Sequence, residues 1–86
     1  MKQIALWLVE NKVIFTSIQG PLTVEDFPEL DHRIITMLEA SSHSNVHVLS
    51  DISMMTTMPN VFQMAQLKYV THPKMGFFIT HIRNPI

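Results

Sequence analysis

The spacing of hydrophobic residues changes at Gly20-Pro21, and that change decides which folds are open to the chain. Before it, residues 3–9 and 13–18 are two strand-like runs separated by Glu10-Asn11-Lys12, a polar trio suited to a hairpin turn. β-Branched and aromatic residues dominate the second run, which favours strand over helix. After the break, Phe27, Leu30, Ile34, Met37 and Leu38 recur at helical spacing within residues 24–40, with Asp31, Arg33 and Glu39 turned away. Two N-caps compete, Thr23 with Asp26 and Asp26 with Glu29. Pro28 lacks an amide proton and is easiest within the first turn, so Asp26 is the preferred cap. Favourable charge at a helix N-terminus accounts for the cluster of Glu25, Asp26, Glu29 and Asp31.

Residues 41–45 form a polar loop, and residues 46–52 are strand-like. Residues 53–59 read as a loop carrying Met54, Met55 and Met58. Asn60 with Gln63 three later marks a second helix start, and the helix is expected to run to about Val70. Thr71-His72-Pro73 ends it, because the residue before proline avoids the helical region. Residues 75–82 are a last strand, and residues 83–86 read as the start of a further connection. The order is β-β-α-β-α-β in a single domain, 1–86: an α/β fold with a four-stranded mixed sheet, one hairpin and two parallel crossovers.

That topology has a consequence for partners. The first strand is apolar on both faces, with Ile4, Leu6 and Leu8 on one and Ala5, Trp7 and Val9 on the other. Right-handed crossovers along a strand order that progresses one way put both helices on the same face. The opposite face then exposes an apolar patch, which monomers rarely carry. A homodimer covering that face, or pairing a free edge strand, is expected. Size adds to the pressure. A chain of 86 residues buries roughly 60–65% of its surface, and with no cysteine it has no disulfide to lean on.

Charge and composition exclude several classes. A 47% hydrophobic fraction with 15% charged residues rules out a disordered chain. The net charge of −1 carries no basic excess for nucleic acid. The charges are segregated: residues 1–51 hold seven acids and three bases, a balance of −4, while residues 52–86 hold three bases and no acid. Helix-end chemistry explains part of this, and complementary ends that favour self-association are the alternative. Residues 1–10 mimic a signal peptide only loosely, since the apolar stretch stops at Glu10 without a cleavage site. No apolar run approaches the roughly 18 residues of a membrane helix. The expectation is a cytoplasmic protein, without membrane insertion.

Chemistry-bearing motifs are few. Gly20 and Gly76 stand alone, so neither a Walker loop nor a dinucleotide fingerprint is present. No serine lies in a nucleophile elbow. Absent cysteine removes thiol catalysis and thiolate-bound metal. His47 and His81, on different strands, with Asp51 would make a two-histidine, one-carboxylate set if the strands are neighbours. Asp51 lies at the C-terminal end of a parallel strand, where α/β ligand sites cluster, and is the candidate ligand-proximal residue. Its alternative role is to cap the following turn. Methionines at 54, 55, 58 and 64 are flexible and polarizable, which suits an adaptable binding surface or a core.

The chain also resembles the STAS-like family, which includes bacterial anti-sigma-factor antagonists and uncharacterised relatives. The resemblance lies in the hairpin leading through Gly20-Pro21-Leu22-Thr23 into the first helix. It continues in Val48-Leu49-Ser50-Asp51-Ile52-Ser53, which looks like that family's third strand, and in His72-Pro73-Lys74-Met75-Gly76-Phe77-Phe78. Phosphorelay members carry an acceptor serine at the start of the second helix. The matching stretch here is Met58-Pro59-Asn60-Val61-Phe62, so the serine switch does not carry over. Family members generally continue with another strand and helix. A chain ending at Ile86 would be either a truncated product or a reduced version completed by association.

The leading expectation is a non-catalytic, regulatory protein-interaction module of STAS-like type, with no cofactor or metal. Ser53, Met54, Met55, Thr56, Thr57, Met58 and Asn60 would form its partner-binding segment. Two rivals are a protein binding a small apolar, lipid-like ligand between helices and sheet, and a metal-dependent enzyme using His47, His81 and Asp51.

Overall fold

The computed structural model describes residues 2–81. Strand β1 (Lys2–Val9) turns into β2 (Val13–Pro21) as an antiparallel hairpin. Asn11 supplies the left-handed backbone of the turn at φ 64°, and the Lys12 N–H donates to the Val9 carbonyl at 2.9 Å. Asparagine tolerates that region better than other non-glycine residues. Helix α1 (Phe27–Ala40) follows, then β3 (Val46–Asp51), the short β4 (Met55–Thr57), the single turn α2 (Val61–Met64) and β5 (Met75–His81). The sheet order is β1-β2-β3-β5, with β3 parallel to both β2 and β5.

The α/β class and the mixed sheet agree with the sequence reading, but the sheet has five strands rather than four. The fifth is β4, which lies where a loop was expected. It runs parallel to the last residues of β2, pairing Gly20 with Met55 and Pro21 with Thr57. Gly20, at φ 80°, marks the point where β2 leaves β3 and takes β4 as its neighbour. Glycine enters that backbone region at no steric cost.

The second crossover helix is much shorter than expected. Residues 61–64 make one turn, and the chain then passes through a 3-10 turn at Tyr69–Thr71 before β5. The Asn60 start signal is real: its Oδ1 accepts from the Gln63 N–H at 2.9 Å, and Gln63 Oε1 accepts from the Asn60 N–H at 3.1 Å. A cap nucleates a turn, but one turn without an apolar face to bury does not propagate. The first helix also starts differently. Asp26 makes no capping bond as an N-cap of α1; its carboxylate instead accepts from the Thr23 N–H at 2.9 Å, within a 3-10 turn at Val24–Asp26 that precedes the helix. Thr23, the competing candidate, is therefore the entry residue.

One core lies on one side of the sheet. Ile14 and Ile18 of β2 and Val46 and Val48 of β3 face Phe27, Leu30, Ile34 and Leu38 of α1, with Leu67 and Tyr69 closing the far end. Met37 packs at the margin. Asp31 departs from the reading that turned it to solvent: it is buried against the 68–69 segment. Ile82 and residues 83–86 lie outside the described residues.

Candidate functional site

The segment after β3 is pinned by backbone bonds and still projects large apolar side chains. Asp51 Oδ1 accepts from the Ser53 N–H at 2.9 Å, the turn-capping role anticipated as its alternative. The Gly20 N–H donates to the Met54 carbonyl at 3.1 Å, and the Leu22 N–H donates to the Thr57 carbonyl at 2.9 Å. The Asn60–Gln63 exchange orders the turn that follows, and Asp31 holds residues 68 and 69 beyond it. Between these anchors Met54 and Met58 are more than half exposed, and Val61 and Phe62 reach 75% and 82%. Of the sequence-selected residues, Met54, Thr56, Thr57, Met58 and Asn60 are exposed along this segment and Ser53 is half-buried beside them. Met55 is different: it turns inward and packs on the core. Val61 and Phe62 were not selected individually. Their signal was present, as two bulky apolar residues directly after an N-cap and ahead of the first position able to face a core.

Hydrogen bonds with Ser53, from its N–H first and its hydroxyl second, hold the Asp51 carboxyl below the usual carboxylate range, with His81 adding to the same effect. Asp51 and His81 are cross-strand neighbours. His47 lies four residues earlier on β3, about 13 Å along the strand at the usual rise. Its Nδ1 is already engaged, accepting from the Phe77 N–H at 2.8 Å, so its ring proton sits on Nε2. The structure brings Asp51 to His81 but leaves His47 apart, and among the described residues no three histidine or carboxylate side chains converge on a metal position.

His47 also shapes the sheet. Its ring stacks on Phe77 at 5.3 Å between centroids, and a Cβ on Gly76 would come within 2.5 Å of its Nδ1. Only glycine at 76 lets β5 approach this closely.

The face of the sheet away from α1 carries three cross-strand rows and, beyond the first of them, the Lys2–Gln19 pair. Pairing register aligns Ile4, Ser17, Asp51 and His81 in the first and Leu6, Phe15, Leu49 and Ile79 in the second. The third runs through Val9, Val13 and His47 to the stacked Phe77. A bulge between Trp7 and Val9 breaks the alternation of β1, so Val9 joins Val13 and is exposed together with Ile4, Leu6 and Leu8. Ser17 in the first row is buried, whereas Leu6, Ile79 and Phe77 are exposed, Phe77 to 74%.

On the covered side, Asp31 Oδ1 accepts from the backbone N–H groups of Lys68 and Tyr69 at 2.9 and 3.0 Å. This ties α1 to the 3-10 turn that leads into β5. Burial, and next the Asp31 carboxylate, push the Tyr69 phenol well above its ordinary pKa. An apolar cavity of about 130 Å³ lies between the sheet, α1 and the methionine segment, lined among others by Leu30, Met55, Met64 and Phe78. No helix among the described residues is long and apolar enough to cross a membrane. A scan against protein-family models and searches of curated proteins and of solved structures returned no match.

Proposed function

We propose that this chain is a non-catalytic, cytoplasmic regulatory module of STAS-like type that holds a partner protein on its projecting segment. The observation that carries the reading is the exposure of Met54, Met58, Val61 and Phe62 on a segment bonded to β2 at Met54 and Thr57 and followed by residues 68 and 69, which Asp31 holds to α1. Anchoring matters because a pre-ordered segment loses little conformational entropy on docking. Flexible thioethers beside one rigid aromatic ring fit an apolar groove on a partner. Met55 has no part in this surface, since it supports the segment from beneath.

Fully burying a phenylalanine side chain is worth about 1.5–3 kcal/mol, so Phe62→Ser should weaken partner binding by roughly 10- to 100-fold. The test is affinity capture with mass spectrometry from cells that express the protein, comparing the unaltered chain with Phe62→Ser and with Met54→Glu/Met58→Glu. A partner retained by the unaltered chain and lost by both variants, at unchanged melting temperature, is the expected result. Equal capture by all three removes the segment from the account.

A second reading draws on the cavity. Its volume of about 130 Å³ is below the 300–1,000 Å³ of pockets that take drug-sized ligands. It suits an apolar molecule of benzene size rather than a lipid chain. Native mass spectrometry of the purified protein showing a bound small apolar compound would favour it.

A further inference from the structure

The uncovered face of the sheet is separate from the methionine segment and raises its own question. Leu6 is 45%, Ile79 57% and Phe77 74% exposed. With Ile4, Leu8 and Val9 similarly open, the patch is on the order of 500 Å², at the upper end of what a monomer leaves to water. Half-buried Val13, Phe15 and Leu49 fill the spaces between and bring it towards the roughly 800 Å² per partner of a standard interface.

We propose that a second copy of this chain covers the face, related by a two-fold axis that runs along the strands between β2 and β3. Three observations favour a second copy. The face carries one lysine, Lys2, and one carboxylate, Asp51, both at the same end of the sheet, so its central rows offer no charge to select an oppositely charged partner. The patch is large enough for an isologous contact, in which each protomer contributes the same surface. The rows are self-complementary about that axis.

The third point fixes the orientation. A two-fold axis along the strands lays each row on its own counterpart. β2 then faces the partner's β3, and β1 faces the partner's β5. Leu6 meets the Ile79 position of the second copy, Phe15 meets the Leu49 position, and Val9 meets the Phe77 position. The row holding Ser17, Asp51 and His81 meets itself at one end of the contact, where the carboxylate keeps its neighbouring histidine and water. Turning the axis across the strands would instead lay β1 on β1 and place Asp51 over His47 and its stacked Phe77 ring rather than over the Ser17 hydroxyl, an arrangement that the cysteine pattern below distinguishes. Two sheets in the first arrangement pack about 10 Å apart with strands within roughly 30° of one another.

The chain has no cysteine, so introduced cysteines report without background. Sedimentation equilibrium at about 100 µM should give twice the 9.9 kDa chain mass, and Leu6→Glu or Ile79→Glu should return the chain to monomer with its far-ultraviolet dichroism unchanged. A short bis-maleimide should join subunits of Leu6→Cys/Ile79→Cys but not of Leu6→Cys alone. A monomer at that concentration overturns the proposal. So does a dimer indifferent to both glutamate variants, which would mean pairing at the free β1 or β5 edge. Efficient cross-linking of Leu6→Cys alone places β1 over β1 and overturns the axis. If a glutamate variant fails to fold, the unaltered chain's mass and the cysteine pattern decide the matter.

Discussion

Removing the Asp31 carboxylate tests how the projecting segment and β5 are held to the body of the fold. In the native chain one oxygen, Oδ1, accepts two backbone N–H groups at 2.9 and 3.0 Å, one of them fully buried at Tyr69. Asp31→Ala leaves both donors without a partner. A hydrogen bond to a charged group contributes about 1.5–3 kcal/mol, and an orphaned buried donor adds its own desolvation cost. The Lys68 N–H is only part-buried and regains some of this from water, so a loss of about 2–4 kcal/mol is expected. For a domain of this size each kcal/mol moves Tm by roughly 4–8 °C, which sets a fall of at least about 8 °C. Asp31→Asn keeps an oxygen at the same place without the charge and should lose about half as much. Thermal melts followed by circular dichroism give the Tm values, and amide hydrogen exchange at residues 68 and 69 gives the local effect. A fall of less than about 3 °C in Asp31→Ala, or equal falls for the two variants, would refute the reasoning that this acceptor ties α1 to the later segment.

Three other outcomes follow from the same packing. Thr16 is fully buried and its hydroxyl finds no partner, so Thr16→Val should raise stability by about 1 kcal/mol, read as a Tm increase of several degrees. Gly76→Ala drives a methyl group into the His47 ring; a loss of about 1–3 kcal/mol is expected, with a changed His47 nitrogen signal in NMR as the bond from Phe77 is displaced. For Asp51 the native pKa is depressed, so its contribution to stability is present above the ordinary carboxylate value of about 3.9 and fades as pH falls below it. Urea titrations between about pH 2 and 5 should therefore show a steeper acid loss for the unaltered chain than for Asp51→Asn.

Where local chemistry was strong, it was readable before any coordinates. The hairpin followed from Asn11 between two β-rich runs. The buried side of α1 followed from the 3.6-residue spacing of Phe27, Leu30, Ile34 and Leu38. Asn60 and Gln63 form the reciprocal cap that their spacing announced. The failures share a cause. The length of α2 depended on whether residues 65–70 had a surface to pack on as a helix, and the structure uses Leu67 and Tyr69 as core residues from a non-helical path instead. β4 exists because Gly20 turns the end of β2 towards it, a neighbour more than thirty residues away in the chain. Asp31 looked like a solvent residue because acidic side chains near a helix start usually are; its partners are 37 and 38 positions distant.

The candidate surfaces divide the same way. The methionine cluster at 54–58 was visible as composition, but which methionine points outward was not, because Met55 turns inward only once β4 pairs with β2. Periodicity alone determined that β1 had too many apolar residues for one covered face; it anticipated two crossover helices as cover, of which the second is a single turn. The tertiary structure decided that the strands progress in one direction, that the helical elements share one side, and that Gly76 lets His47 stack on Phe77 and complete the third row. A strand carries its alternation in its own residues, whereas the side that stays open is set by register and strand order, which are properties of pairs of strands distant in the chain.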